Sequence, residues 1–176
     1  ITRPDTHGTK TSLTAALYSD TTKKATLDTI FTVVTSPDSD KAKMWGHMPE
    51  TVTAVDGTVF KRPLLLKELS STSGRTAIAE DNEDWAQFTQ TQATSTSSNG
   101  CGSEYVPSQA GLESLYEANR GNAMKTVQGW PVASSYLSST TGSSSLEQRD
   151  FKAVNLSSGT SSIIPSATKE LLTCQM

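Results

Sequence analysis

The sequence has little charge, few aromatic residues and no long apolar run. Charged residues make up 19% of the chain and aromatic residues 6%, and much of its polarity comes from Ser and Thr. Because the net charge is -3 and Lys and Arg are scattered, the chain lacks the concentrated basic face of a nucleic-acid-binding protein. No apolar run approaches the ~20 residues that span a bilayer as a helix, so we expect no direct membrane insertion of this chain.

Groups that perform catalysis or hold metals are equally scarce. Of the two histidines, His7 lies near the start and His47 stands alone in the rest of the chain, where a hydrogen-bonded structural role is the usual one. Cys and His do not cluster at the spacing of a zinc site. Ser166 and Lys169 match the S-x-x-K pattern of penicillin-binding acyl transferases, but the companion S-D-N and K-T-G elements are absent. We therefore expect no catalytic residue, no metal and no cofactor.

An acidic segment, "EDNEDW", begins at residue 80. Its carboxylates could hold calcium, but it lacks the alternating ligand spacing and the Gly of an EF-hand loop. We interpret it as the solvated start of a helix over "DNEDWAQF". Asp81 or Asn82 would be the N-cap, and Trp85 and Phe88 would share one face.

A second helix is predicted in "VPSQAGLESLYEANRGN", where Ser108 is the N-cap and Gly121 the stop. Short β-prone runs surround it, and two of them enclose hairpin turns, at Asp56-Gly57 and at residues 157–159. The closing "KELLTCQM" is a further strand. Strands, then helices, then strands predict an α+β domain over residues 44–176.

The first 40 residues have a different character. Alternating apolar residues predict strands at 9–20 and 25–36, joined by a turn at "DTTKK". Two strands do not make an independent domain, so we interpret residues 1–40 as the last strands of a β-sandwich. Pro37 and a cluster of charges mark the boundary. Since the chain opens with "ITRPDTHGTK", without Met, we expect it to be a piece of a longer protein.

The chain has only two cysteines, Cys101 and Cys174. One interpretation is a disulfide bond, which persists in an oxidising compartment, and the other is a pair of free thiols in a cytosolic protein. The low charge and the abundance of Ser and Thr favour an extracellular domain.

Six motifs follow one another along the chain: "MWGHMPETVTAVDGTVFKRPLL", "NEDWAQF", "CGSEYVPSQAGLESLYEANRGNAM", "GWPVASSYLSST", "VNLSSG" and "LLTC". Their order resembles the C-terminal adhesion domain of the invasin/intimin adhesins of Gram-negative bacteria, and it looks closest to the branch called invasin E. The resemblance covers residues 44–176, and the preceding strands resemble the end of an Ig-like stalk repeat.

The resemblance implies a C-type lectin-like fold with two helices on antiparallel strands. Cys101 and Cys174 match the positions of the disulfide bond that closes this domain. It also implies an anchor in the outer membrane, with a signal peptide and β-barrel upstream of this chain and the domain at the extracellular tip on the bacterial surface. Such a tip binds a host or partner molecule.

The family also bears on "TVQGWPVASSYLSST", residues 126–140, whose aromatics could form either a ligand platform or part of the core. True C-type lectins bind sugar through calcium, held by E-P-N or Q-P-D and W-N-D segments, and none of these occurs here. We therefore expect calcium-independent binding and place the aromatics in the core, together with two earlier tryptophans: Trp45, Trp85, Trp130 and Tyr136.

We expect non-catalytic binding through the Ser-rich loops 70–80 and 138–150, where Arg75, Arg149 and Asp150 supply the few charges. The expected partner is a host cell-surface or secreted protein, such as an integrin, an antibody or another glycoprotein. The alternative is a structural cap or a self-association module in bacterial aggregation and biofilm.

Overall fold

A computed structural model describes residues 13–17, 20–27, 37, 48–142 and 150–176. Near the start, strands β1 (Leu13–Leu17) and β2 (Asp20–Leu27) pair antiparallel. The predicted strand pair is present, but "DTTKK" lies inside β2 rather than in the turn, because Thr favours extended backbone. The Asp20 carboxylate accepts the N–H of Thr22 at 3.1 Å at the start of this strand. The rest of the second predicted strand, residues 28–36, lies outside the described residues.

The strands between residues 48 and 176 form a small hairpin and one larger sheet. Within the described residues, the sheet has six strands in the order β5-β6-β10-β7-β8-β9, and all neighbours are antiparallel except β10 and β7. The strands are β3 (Thr51–Thr53) and β4 (Val59–Lys61) in the hairpin, and β5 (Thr76–Glu80), β6 (Glu83–Phe88), β7 (Tyr136–Thr141), β8 (Asp150–Val154), β9 (Ser161–Pro165) and β10 (Glu170–Leu171) in the sheet.

The helix predicted after Ser108 is confirmed. It is α2 (Gln109–Glu117), and the Ser108 hydroxyl accepts the N–H of Gly111 at 3.1 Å. Its Leu112 and Leu115 are fully buried, because their spacing puts both on the face towards the sheet. The other helical segments are short: α1 (Gln90–Ala93), α3 (Ala123–Thr126) and 3₁₀ turns at Leu66–Glu68 and Ser97–Asn99.

The helix predicted over "DNEDWAQF" is wrong, since this segment is the turn and second strand of the β5–β6 hairpin. Asp81 and Asn82 form the turn with φ of 54° and 63°, a conformation that these residue types tolerate. Trp85 and Phe88 lie three apart, which puts them on opposite faces of a strand. Each is buried in a different core cluster, so the spacing reflects a sheet covered on both sides.

Both predicted hairpin turns are present. Asp56-Gly57 joins β3 to β4, with Val52 opposite Phe60, and residues 155–160 join β8 to β9. The closing strand is shorter than predicted: β10 has only two residues, and Gln175 makes an isolated bridge with Phe60.

The core lies on both faces of the sheet. One cluster contains Trp85, Trp130 and Tyr136 with Leu112 and Leu115 of α2. The rings of Trp130 and Tyr136 lie 6.2 Å apart, and neither side chain has any exposed area. The second cluster, on the other face, contains Phe88, Leu137 and Leu172 among its members. Trp45, also predicted in the core, lies outside the described residues.

A disulfide bond joins Cys101 to Cys174, whose Cα atoms lie 5.4 Å apart. It ties the segment before α2 to the end of the chain. The expected class, an α+β fold with helices on a sheet and a closing disulfide, is confirmed. No helix among the described residues is long and apolar enough to cross a membrane.

Candidate binding surface

Loop 70–75, which leads into β5, is exposed and firmly anchored. At its start the N–H of Ser70 donates to Oδ1 of Asn99 at 2.7 Å. At its end the Gly74 carbonyl accepts from Gln92 at 3.2 Å and from the Lys169 ammonium at 3.0 Å. The residues between are exposed Ser and Thr. The sequence predicted a binding loop over residues 70–80, but residues 76–80 form strand β5, so the loop itself is 70–75 and is anchored at both ends.

Arg75, predicted to be a contact residue, is only half exposed. Its guanidinium lies 4.6 Å from the centre of the Phe88 ring, and burial lowers the pKa of the guanidinium from its ordinary value. Since Phe88 is buried in the core, Arg75 fastens the loop to the domain. Its contact with a partner stays a prediction, and only part of its surface is available for one.

Beside the loop lies a cleft of about 270 Å³, lined by residues 65–67, Thr72 and residues 82–84. Leu65 is buried, whereas Lys67 and Asp84 are exposed at the rim. The cleft thus combines an apolar wall with charges of both signs. It has the size for one protruding side chain of a partner rather than for a large ligand. Sequence reasoning missed it because one wall is formed by residues 82–84, part of the segment that was interpreted as a helix start.

The first carboxylate of the acidic segment, that of Glu80, has a structural role. Glu80 is almost fully buried and accepts the N–H groups of Val132 and Ala133, both at 2.8 Å, and the Lys125 ammonium at 2.6 Å. Burial opposes the charge of Lys125, but Glu80, with Asp81, outweighs burial and raises the pKa of the ammonium above its ordinary value. Among the described residues, no group of three acidic, His or Cys side chains could hold a metal ion.

Trp130 and Tyr136 do not form a ligand platform. The Tyr136 hydroxyl donates to the Pro131 carbonyl at 2.7 Å inside the core. Burial raises the pKa of this phenol well above its ordinary value, and the charge of Glu80 adds to the effect. The segment 130–136 is therefore held from within by its own aromatics and from the side by Glu80.

The second segment predicted as a loop, 138–150, is described only at its ends, and its residues 138–141 belong to strand β7 rather than to a loop. Ser138 is buried and donates to the Lys152 carbonyl at 2.8 Å, while Ser139 and Thr141 are exposed on β7. Asp150 is half-buried at the start of β8, where its carbonyl accepts the Gly142 N–H at 2.7 Å. Residues 143–149, with Arg149 among them, lie outside the described residues.

The two predicted loops belong to different parts of the sheet. Loop 70–75 leads into β5, whereas the segment 138–150 overlaps the end of β7 and the start of β8. In the sheet order, β5 is three strands from β7. At about 4.8 Å per strand, this is about 15 Å, so one small contact does not span both. The candidate binding surface is therefore loop 70–75 with the adjoining cleft.

A closed α+β domain with this surface invites comparison with known families. The InvE adhesion-domain family, described as "Adhesion domain", has a model that matches residues 37–175. The chain belongs to the InvE adhesion-domain family. A second family model, bacterial immunoglobulin-like 21, matches residues 1–34. The resemblance to invasin-type adhesins with the end of an Ig-like stalk is thereby confirmed.

A solved structure agrees with the family. The chain is similar to the structure of Yersinia pseudotuberculosis adhesin InvE, with 34% sequence identity and a TM-score of 0.65. The match covers 94% of this chain and 44% of that one, so the chain spans less than half of the adhesin it resembles. Among curated proteins, none matches the chain significantly. Residues 37–175 are thus an adhesion domain of the InvE type, and invasin-type adhesins are surface-exposed outer-membrane proteins.

Proposed function

We propose that this chain is the extracellular tip of a bacterial surface adhesin and that it binds a host protein without catalysis and without calcium. In this proposal residues 1–40 end an Ig-like stalk and residues 44–176 form the adhesion domain. The observation that carries it is the cleft of about 270 Å³ beside the anchored loop 70–75. A loop that is hydrogen-bonded at both ends next to a small cleft supports binding, because an anchored loop loses less conformational entropy when a partner docks.

The chemistry of the cleft favours a protein partner. Leu66 offers an apolar wall, and Lys67 and Asp84 stand at the rim, so a protruding side chain can bury its carbon atoms and pair its polar end. Glu80, the first carboxylate of the acidic segment, already binds Lys125 and two main-chain N–H groups and is not available to calcium. Trp85 and Trp130 are buried, which removes them as stacking surfaces for sugar.

The test measures binding of the chain to host cells, with Asp84→Lys against the control Glu104→Lys. Both residues are exposed and both variants change the charge equally, but only Asp84 lines the cleft. We expect Asp84→Lys to weaken binding at least about tenfold, as for a central interface residue. Glu104→Lys should bind like the natural chain, and a chelator such as EDTA should have no effect.

Several outcomes would contradict this proposal. Equal binding by both variants would remove the cleft from the interface, and loss of binding in EDTA would overturn calcium independence. If no host cell type and no host protein bound the chain at all, the proposal of a host receptor would fail. Mass spectrometry of captured host membrane and serum proteins separates integrin, antibody and other glycoprotein partners.

A further inference from the structure

Strand β9 forms one edge of the six-stranded sheet, and its register shows which main-chain groups face outwards. In its pairing with β8, Ala153 lies opposite Ser162 and Lys152 opposite Ile163. The Asn155 N–H donates to the Thr160 carbonyl at 2.9 Å, which makes that pair a hydrogen-bonded one. Hydrogen-bonded pairs alternate along an antiparallel ladder. The N–H and C=O groups of Ser162 and Ile164 therefore face β8, and those of Ser161 and Ile163 point away from the sheet.

Pro165 lies on the same outward row, two residues after Ile163. It has no N–H to donate, which costs nothing on the open side of an edge strand. Its carbonyl accepts the Thr168 N–H at 2.9 Å and keeps a second lone pair. The outward row thus has donors and acceptors at Ser161 and Ile163 and an acceptor alone at Pro165. Among the described residues, no strand lies beyond β9.

Only the last residue of β9 is of a type that protects an edge strand. Natural edge strands usually carry Lys, an inward charge, a bulge or proline, whereas β9 reads "SSIIP", is uncharged, and has its one proline at the end, where it removes a single outward N–H. Ile163 at its centre is 49% exposed. One side of the Ile163 side chain packs against Gly142. Its Cγ2 atom lies so close to this glycine that a Cβ added at Gly142 would be only 2.8 Å away. An exposed isoleucine that is packed on one side, on an uncharged edge strand, is typical of a strand that pairs with another chain rather than of a protected edge strand.

We propose that β9 is a pairing site for β9 of a second copy of this chain, antiparallel about a two-fold axis at Ile163. In this arrangement each Ile163 N–H donates to the Ile163 carbonyl of the other copy. The donor of Ser161 then lies opposite the acceptor-only Pro165 of the other copy. The row is self-complementary, since its donor end meets its acceptor end, and two uncharged strands meet without repulsion. The Ile163 side chains lie side by side on one face.

The contact is short, so the pairing in solution is weak and gains strength where many copies are held on one surface. The pairing uses the edge of the sheet opposite to β5 and the cleft, so it is independent of binding to the proposed host receptor. It would connect adhesins on the same or neighbouring bacteria, and it gives the self-association alternative a defined site.

The first test combines sedimentation with hydrogen exchange of the whole chain, up to about 1 mM, where a dimer with a dissociation constant of that order is readily detected. We expect a monomer when dilute and a growing fraction of dimer with concentration. The amides of Ser161 and Ile163 should exchange rapidly in dilute solution and become protected with dimer formation. Those of Ser162 and Ile164 should be protected throughout, because they face β8. A chain that stays monomeric, or outward amides already protected when dilute, would overturn the proposal.

The second test separates strand pairing from a general apolar contact. Ile163→Pro removes an outward N–H without removing any hydrogen bond to β8, whereas Ile163→Thr keeps the N–H and the strand preference. We expect the proline variant to remain monomeric and the threonine variant to dimerise, both with thermal midpoints near that of the natural chain. Dimers of the proline variant, or equal loss in both variants, would rule out main-chain pairing. If Ile163→Pro does not fold, Ile163→Lys puts like charges face to face and should abolish the dimer.

Discussion

Glu80 shows how one side chain determines the conformation of a distant segment. Its carboxylate is bound by Lys125 and by the main-chain N–H groups of Val132 and Ala133. The β5–β6 hairpin, α3 and the segment before β7 therefore meet at a single buried anion. A buried carboxylate is stable only when such partners are present, so the site requires the charge as well as the shape of Glu80.

Glu80→Gln should destabilise the domain by roughly 2–3 kcal/mol, because the amide keeps one acceptor and presents N–H groups to Lys125. The measurement is urea unfolding of the natural chain and the variant. The matched control is Glu104→Gln, an exposed residue for which a change within about 0.5 kcal/mol is expected. If the two variants are equally stable, Glu80 does not hold this segment.

At the scale of elements, the sequence predicted those whose signals are local. The Ser108 cap and the Leu112 and Leu115 spacing specify α2 within a dozen residues. Asp56-Gly57 and the turn ending in Gly159 specify their hairpins in the same way. The β5–β6 hairpin could not be predicted from Trp85 and Phe88, because three-residue spacing suits one helix face or two buried strand faces equally. Only the partners on each side of the sheet decide, and these come from distant parts of the chain.

In the candidate site, too, the features with local sequence signals could be predicted, and those formed by distant residues could not. Loop 70–75 could be found from its Ser and Gly residues, and the sequence also indicated Cys101 and Cys174 as a pair through the family resemblance. The cleft beside the loop is formed by residues 65–67 and 82–84, which only the folded sheet brings together. The β9 edge depends on hydrogen-bond register, which no local pattern of "SSIIP" reveals.

Gly159 connects the β8–β9 turn to α2 and gives a test at this scale. A Cβ there would lie 2.4 Å from the Tyr116 ring, and φ is +73°. Gly121 has a similar φ of +67° but nothing within 4 Å of its Cβ position. Gly121→Ala should therefore cost about 1 kcal/mol for the backbone alone, and Gly159→Ala about 1–3 kcal/mol more. Denaturant unfolding of both variants checks this, and equal losses would mean that the turn does not pack on Tyr116.

For the whole molecule, the bond between Cys101 and Cys174 is the main covalent constraint. The two residues are 73 positions apart, and closing a loop of that length removes about 4 kcal/mol of unfolded-state entropy. The bond encloses α2, α3 and β7 to β10, so most of the adhesion domain lies within the ring.

Reduction of the bond should lower the thermal midpoint of the adhesion domain by roughly 10 °C. The loss of about 4 kcal/mol is converted at about 2–4 °C per kcal/mol, the usual range for domains of this size or larger. Calorimetry with and without reductant measures this, and the double variant Cys101→Ser/Cys174→Ser should match the reduced chain. The expected result is contradicted by an unchanged transition, or by two free thiols in the mass of the untreated chain.

The same ring governs how the chain responds to mechanical load. When the chain is pulled from its N-terminal side while β9 is gripped, tension crosses from Cys101 to Cys174 through the sulfur bridge and reaches β9 from the C-terminal side. Two chain segments connect the disulfide bond to β9: a long one that starts at Cys101 and a short one that ends at Cys174. The long segment cannot extend fully, because the short one becomes taut first. Without the bond, the roughly 60 residues between Cys101 and β9 could lengthen the tether by roughly 200 Å at full extension. Bacteria that are joined to one another through β9 would therefore stay close together when flow draws them apart.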